Sequence, residues 1–451
     1  MTASSDRLVP GHPVERSHLP LLITLGLGVF TGALDLGVLA PALPALSRSL
    51  SIPTNELAWV YTIYLVCNVA GIAIMSILAD RYGRRGIYIA CITIFALGSV
   101  LAVAAPSFAI FLLARAIQAI GAGGIFPVAT AAIGDAVPAQ RRGAALGLVA
   151  ATWGLAAVIG PLAGGVITHF VSWRWIFAAN FPLAVLVIAL ARKYVTTLAP
   201  HLRDNLDWVG LALLLAALWG FSFGLTQNIV PCVIGGALAL VLLALWEAQT
   251  AAPLLPIALF TSRNLALTYG IELLIGVLEG SLFFVPTVLV AAQHMNFAAA
   301  GAIAALGALV FVIVIPLAGR ALDRFGARSV LLAGATCTAI GLVGFAFAFY
   351  SLATSIAAII VAGIGFGALL GAPTRYLITA EAPEQRRATA LGLLSQFLIF
   401  GQIIGGSLTG GFVKFAGAPL SGFRDAYAAF AIIGALAALL TLALQDRLAR
   451  R

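Results

Sequence analysis

Asp35, Arg115, Glu272 and Glu279 are ionisable side chains set inside long apolar stretches. A charge at the middle of a bilayer costs roughly 2.5–3.5 kcal/mol, so such groups turn toward a partner or an aqueous cavity, where they bind protons or cations. Asp35 lies about eleven residues from the end of its stretch, and Arg115 about seven from the matching end of its own; at about 1.5 Å per residue their depths differ by only about 6 Å. The two can therefore pair, with Arg115 and a proton competing for the Asp35 carboxylate. A static structural ion pair satisfies the same spacing. Glu272 and Glu279 stand two turns apart on one helix face, which must line a cavity or a helix interface. Gln118 is suited to hydrogen bonding with a substrate or a neighbouring helix, and Trp153 to stacking against a flat hydrophobic substrate.

The elements that hold these residues are membrane spans. Of 451 residues, 62% are hydrophobic and 9% charged, and the mean hydropathy is +1.09, whereas a soluble domain carries about a quarter charged residues. Fourteen apolar runs, from 19–46 to 425–444, are each long enough to cross a bilayer. They lack the two-residue alternation of barrel strands and are about twice as long as such strands, which predicts an all-α integral membrane protein. The net charge of +9 is not a nucleic-acid footprint. Most Lys and Arg, among them Arg7, Arg81, Arg141, Arg192, Arg263, Arg324, Arg386 and Arg447, fall on one side of the expected membrane; Arg48, Arg174, Lys414 and Arg424 fall on the other. That asymmetry, with an even number of spans, predicts cytoplasmic termini. The first run is too long for a signal-peptide core and is expected to remain as an anchor. Cys67, Cys91, Cys232 and Cys337 lie in separate runs without metal or redox spacing. No nucleotide-binding loop, metal cluster or nucleophile–base pair stands out, so neither an enzyme nor a cofactor is expected.

The chain repeats itself. Asp80-Arg81-Tyr82-Gly83-Arg84-Arg85 returns as Asp323-Arg324-Phe325-Gly326-Ala327-Arg328, Pro138-Ala-Gln-Arg141-Arg142 returns as Pro383-Glu-Gln-Arg386-Arg387, and Asp35 is matched by Glu279. All three share a spacing of about 244 residues. The expected organisation is a cytoplasmic tail (1–18), a six-helix bundle (19–191), a linker carrying two inserted spans (192–263), a second six-helix bundle (264–444) and a cytoplasmic tail (445–451). Two parallel bundles with a site between them at mid-membrane form a transporter architecture.

Ser76-Ile-Leu78-Ala-Asp80-Arg81-Tyr82-Gly83-Arg84-Arg85 resembles the signature loop of the major facilitator superfamily, with Ser76 in place of the usual glycine. The resemblance implies that Asp80, Arg81, Gly83, Arg84 and Arg85, with Asp323 and Arg324 in the second copy, gate the molecule by latching the bundles in an outward-facing state. Gly160-Pro161-Leu-Ala-Gly164-Gly165 is similar to that superfamily's antiporter motif: small residues admit close helix packing and the proline removes a backbone hydrogen bond. Arg115-Ala-Ile-Gln118-Ala119-Ile-Gly121 resembles its buried-arginine motif, with Ala119 replacing a glycine. Leu34-Asp35-Leu-Gly37-Val-Leu-Ala40-Pro41 and Trp173-Arg174-Trp175-Ile-Phe177-Ala-Ala-Asn180-Phe-Pro182 resemble segments of the fourteen-span drug:proton antiporters; Gly37 and Ala40 replace a threonine and an asparagine.

The chain is therefore expected to be a proton-coupled antiporter in a bacterial cytoplasmic membrane, a monomer exporting hydrophobic, cationic small molecules by alternating access. Asp35, Arg115, Glu279 and Glu272 would carry proton coupling, and Asp35, Gln118, Trp153 and Glu279 would meet the substrate. A lipid or lipid-linked precursor exporter on the same scaffold is the alternative, and a non-transporting sensor ranks behind both.

Overall fold

The computed structural model describes residues 18–195, 207–250, 257–260, 262–383 and 386–445. Nearly all of both expected tails, most of the 192–206 connector, and Pro253 and Pro256 of the connector into the second bundle lie outside the described residues. Regular structure among the described residues is entirely helical. This agrees with the composition: in hydrocarbon each backbone N–H and C=O must be satisfied within its own segment or within a closed barrel.

The membrane-length helices are α1 (Leu19–Leu50), α2 (Thr54–Tyr82), α3 (Arg84–Ala104), α4 (Phe108–Ala136), α5 (Ala139–Phe170), α6 (Arg174–Tyr194), α7 (Trp208–Gln227), α8 (Val230–Glu247), α9 (Arg263–Gln293), α10 (Phe297–Ala348), α11 (Leu352–Glu381), α12 (Arg387–Ala416) and α13 (Pro419–Leu442). Polar residues at the ends of the runs set several boundaries. The Ser107, Asp207 and Asn296 side chains accept from the first-turn amides of Ile110, Gly210 and Ala299, capping α4, α7 and α10.

At 52 residues, α10 would reach about 78 Å as a straight rod, well over twice the hydrocarbon thickness of about 30 Å. It folds back at Gly326, whose φ of 79° and ψ of 164° only glycine adopts without strain. Gly83, at φ 93°, makes the same turn between α2 and α3. The two arms of α10 are the expected tenth and eleventh spans, so the described helices make fourteen crossings. Four helices are more interrupted than expected: α1 tightens at Ala40–Ala42, around Pro41, α6 breaks at Ala179, α9 breaks at Phe283–Phe284, just before Pro286, and α11 breaks between Leu369 and Pro373, which leaves Arg375 in a separate short helix.

The core is organised by level. At the end opposite the Gly83 and Gly326 turns (the far end), one apolar cluster joins both halves, running from Leu43 and Tyr61 through Phe177 to Phe284, Phe349 and Tyr427. At the turn end the cores are separate. Leu25, Tyr88 and Val128 belong to a cluster confined to α1–α6 and the residue after it, and Ile275, Leu331 and Leu377 to one confined to the second half. The halves are thus packed together at the far end and divided at the turn end.

Helix α7 lies against the far-end seam between α2 and α12, and α8 packs on α7. Their polar bonds run to α12: Ser407 Oγ donates to Ser222 Oγ at 3.1 Å, Asn228 Nδ2 to the Gly411 carbonyl at 3.1 Å, and Lys414 Nζ to the Gln227 carbonyl at 3.1 Å. Toward α2 the contact is aromatic, with Trp59 centred 5.5 Å from Trp219 and 5.7 Å from Phe223. Trp59 and Trp173, whose positions near span ends suit interfacial anchors, are instead buried.

Candidate functional site

Arg115 and Gln118 are three residues apart on α4 and so share a face. Gly98 on α3 lets that face approach closely, since a Cβ there would lie 2.7 Å from the Gln118 Cα. The neighbouring Ser99 consequently comes within reach of Gln118. Across from them α1 presents Asp35, and α6 presents Asn180. Arg115 Nη1 donates to Asp35 Oδ2 at 2.5 Å and to Gln118 Oε1 at 2.5 Å. Gln118 Nε2 donates to Asp35 Oδ1 at 2.7 Å and to Ser99 Oγ at 2.8 Å. Asn180 Nδ2 donates to the same Asp35 oxygen at 3.1 Å and to Ser99 Oγ at 3.2 Å.

This network is sealed. Asp35 is 1% and Arg115 0% exposed. Two charges out of water cost several kcal/mol each, which their attraction repays only when further hydrogen bonds satisfy the pair. Here the carboxylate has three side-chain donors, and the Tyr64 ring of α2 lies 4.1 Å from the Arg115 guanidinium carbon, a cation–π contact. Arg115 Nε and Nη2 find no hydrogen-bond partner among the described residues. The arrangement can hold a carboxylate charged and dry, and it can be opened only by moving several donors together.

Glu279 does not join this cluster. It is only partly buried, on α9, and accepts from Gln402 Nε2 of α12 at 2.9 Å. Tyr61 of α2, one turn from Tyr64, lies within electrostatic reach of it and stacks on Phe283 of α9 at 4.3 Å. Successive turns of α2 therefore address the Asp35–Arg115 pair and the Glu279 neighbourhood. Glu272 is a third location, buried, with Thr374 and Arg375 as its polar neighbours, and its Oε2 has no hydrogen-bond partner among the described residues. Trp153 is half-exposed on α5 with its ring edge-on to Phe126.

The glycine–proline segment of α5 lies at the far end. Gly160 abuts Gly37 of α1, where an added Cβ would come 2.8 Å from the Gly37 Cα. A Cβ on Gly301 of α10 would lie 3.0 Å from the Gly165 Cα, and Gly164 meets the Val38 backbone. Pro161, inside α5, places its carbonyl against Gly301. At the turn end Asp80 pairs with Arg84, and Arg84 Nε reaches Asp135 Oδ2 at 3.1 Å; these are contacts within the first half. Arg81 lies over Tyr82, and Arg324, beside Asp323, over Phe325. Ala327 stands where the first copy has Arg84, so the second turn lacks the matching ion pair.

Sequence reasoning assigned no role to Ser99, Asn180, Tyr61 or Tyr64. Asn180 left a signal, an amide within an apolar run; the others required knowledge of which helix faces meet.

Two helical halves joined at one end and parted at the other, with ionisable groups buried in their spans, define a membrane transporter rather than an enzyme. The chain belongs to the Major Facilitator Superfamily, whose family model matches residues 25–292 and 265–450. It is 33% identical over 411 residues to the uncharacterized MFS-type transporter YfiU of Bacillus subtilis (strain 168), covering 86% of this chain and 78% of that one. Efflux pump dotC of Dothistroma septosporum (strain NZE10 / CBS 128990) is 31% identical over 275 residues, or 57% of this chain and 47% of the pump. Among solved structures, a D-xylose-proton symporter superposes with a TM-score of 0.73 at 16% identity, over 96% of this chain and 99% of that one, a likeness of fold alone.

Proposed function

We propose that this transporter is a proton-coupled antiporter that exports hydrophobic, cationic small molecules, working as a monomer in a bacterial cytoplasmic membrane with both termini cytoplasmic. The observation that carries the reading is the sealed Asp35–Arg115–Gln118 network. A buried carboxylate held by a cation and two amides is a two-state element: a proton on Asp35 cancels the ion pair and releases Arg115, Gln118 and Asn180 to other partners. Glu279, partly exposed and bonded to Gln402, supplies the negative charge that would attract a cationic substrate. Glu272 offers a proton route nearer the turn end. The glycine contact of α5 with α10 keeps the far end closed, and the Asp80–Arg84–Asp135 cluster serves as half of a latch whose other half lies in the second bundle.

The relative named as an efflux pump supports outward transport of a small organic molecule. The deciding experiment reconstitutes the protein in liposomes with an imposed pH gradient and follows efflux of a cationic dye. Gradient-driven efflux lost in Asp35→Asn is the expected result. Full proton-driven efflux by that variant removes Asp35 from the mechanism, and lipid translocation indifferent to the gradient favours a lipid exporter instead.

A further inference from the structure

Where α10 folds back at Gly326, its two arms and α11 leave an apolar groove of about 420 Å³, lined chiefly by Val314, Leu317, Ala321, Phe325, Val330 and Ala333. Val314, Leu317, Ala321 and Phe325 recur at three- and four-residue spacing and form one stripe along the first arm. Ser329 contributes the single hydroxyl of the lining. Leu317 and Phe325 are exposed, so the groove opens outward rather than into the packed interior.

Its rim is cationic. Arg320 and Arg324 are four residues apart and occupy the strip of helix beside the stripe. Both are exposed, and the Arg324 guanidinium carbon lies 5.2 Å from the centre of the Phe325 ring that lines the groove. Neither forms an ion pair among the described residues. Asp323, three residues from Arg320, lies only about 60° round the helix from it and roughly opposite the apolar stripe, and it forms no ion pair with either arginine among the described residues. The first half of the chain lacks this arrangement. At the equivalent positions Ile77 stands for Arg320 and Leu78 for Ala321. The nearby Arg84 is already held by Asp80 and Asp135. A smaller lining residue and an added arginine thus appear together in the second copy alone.

We propose that this groove binds an anionic phospholipid, with an acyl chain along the Leu317–Ala321–Phe325 stripe and the phosphate between Arg320 and Arg324. An apolar channel beside two unpaired arginines, at the end of the helices where a headgroup resides, matches the two parts of that ligand and no soluble anion. Each arginine near a membrane surface contributes about fivefold to affinity for an anionic lipid, and the pair about 25-fold.

The test titrates the purified full-length protein in detergent with phosphatidylglycerol or phosphatidylcholine of identical chains and counts retained lipids by native mass spectrometry. Tight retention of one phosphatidylglycerol is expected, about 25-fold over phosphatidylcholine. Arg320→Gln/Arg324→Gln should bring the two lipids to parity. Ala321→Leu, which restores the first-copy residue and keeps both arginines, should also release the tightly held lipid, and glycerol 3-phosphate should not compete. Equal retention of both lipids by the unaltered protein, an unchanged preference in either variant, or full competition by glycerol 3-phosphate would each overturn the proposal.

Discussion

Consider replacing Asp35 by asparagine and Arg115 by glutamine, singly and together. Asp35→Asn leaves a guanidinium that is 0% exposed with no counter-charge. It also turns part of a carboxylate that accepts from Gln118 and Asn180 into an amide that donates toward donors. Removing one partner of a buried ion pair costs about 3–5 kcal/mol. Arg115→Gln is milder, because Asp35 keeps the two amide bonds, each worth about 1.5–3 kcal/mol when made to a charge; a loss of about 2–4 kcal/mol is expected. The double variant removes both charges and should lose only about 1–2 kcal/mol, so the coupling energy is at least about 3 kcal/mol, far above the roughly 0.5 kcal/mol scatter of independent sites. Equilibrium unfolding in mixed micelles, followed by a thiol-reactive dye in a background with Cys67, Cys232 and Cys337 replaced by alanine, measures it, because the Cys91 thiol is buried in the fold. A double variant that loses the sum of the two single losses refutes the view that Asp35 and Arg115 act as one unit.

Three further outcomes can be checked. Gly165→Leu forces a side chain against Ala298 and Gly301 and should cost about 1–3 kcal/mol through overpacking; spin labels at the far ends of α5 and α10 should move apart, and an unchanged distance would show that this contact does not close the far end. Glu279→Gln keeps an acceptor for Gln402 but removes the charge, so transport of a cationic dye should fall at least about tenfold, one favourable charge contact, while a neutral substrate is spared; equal loss of both would deny the charge a selective role. Trp246→Phe deletes an indole donor that lies 2.9 Å from both Asp207 oxygens. It should cost about 1 kcal/mol in unfolding measurements, and the loss should shrink when Asp207 is already alanine.

The spans were visible in the sequence because their physics is local: apolar runs of bilayer length, polar caps at several of their ends and glycine at the Gly83 and Gly326 turns. The Asp35–Arg115 pairing was also within reach, since depth along a helix can be counted from its end. What could not be counted was rotation about the helix axis. Tyr64 stacks on Arg115, and Asn180 reaches Asp35, only because α2 and α6 turn particular faces inward, and that choice depends on neighbours far away in sequence. Glu279 illustrates the same boundary: the repeat pairs it with Asp35, yet its partner is Gln402 and not a second arginine. The α5 motif was recognisable as a place of close approach, but its partner Gly301 belongs to the other half of the chain. Interruptions at Ala40–Ala42 and after Leu369 arise where proline or tertiary packing overrides an apolar pattern that continues past them.

The inserted pair α7–α8 is fastened unevenly. Among the described residues its hydrogen bonds to the rest of the chain reach α12, whereas toward α2 it presents aromatic rings. Hydrogen bonds hold a fixed register, while ring faces can slide with little loss of contact. Under the proposed antiport cycle, in which the two sides rock, the pair would travel with the second, so that eight crossings swing against six and the Trp59–Trp219 contact becomes a bearing surface. The two sides of the machine would then differ in mass and in lipid-facing perimeter, and the drag of the bilayer would fall more heavily on one of them.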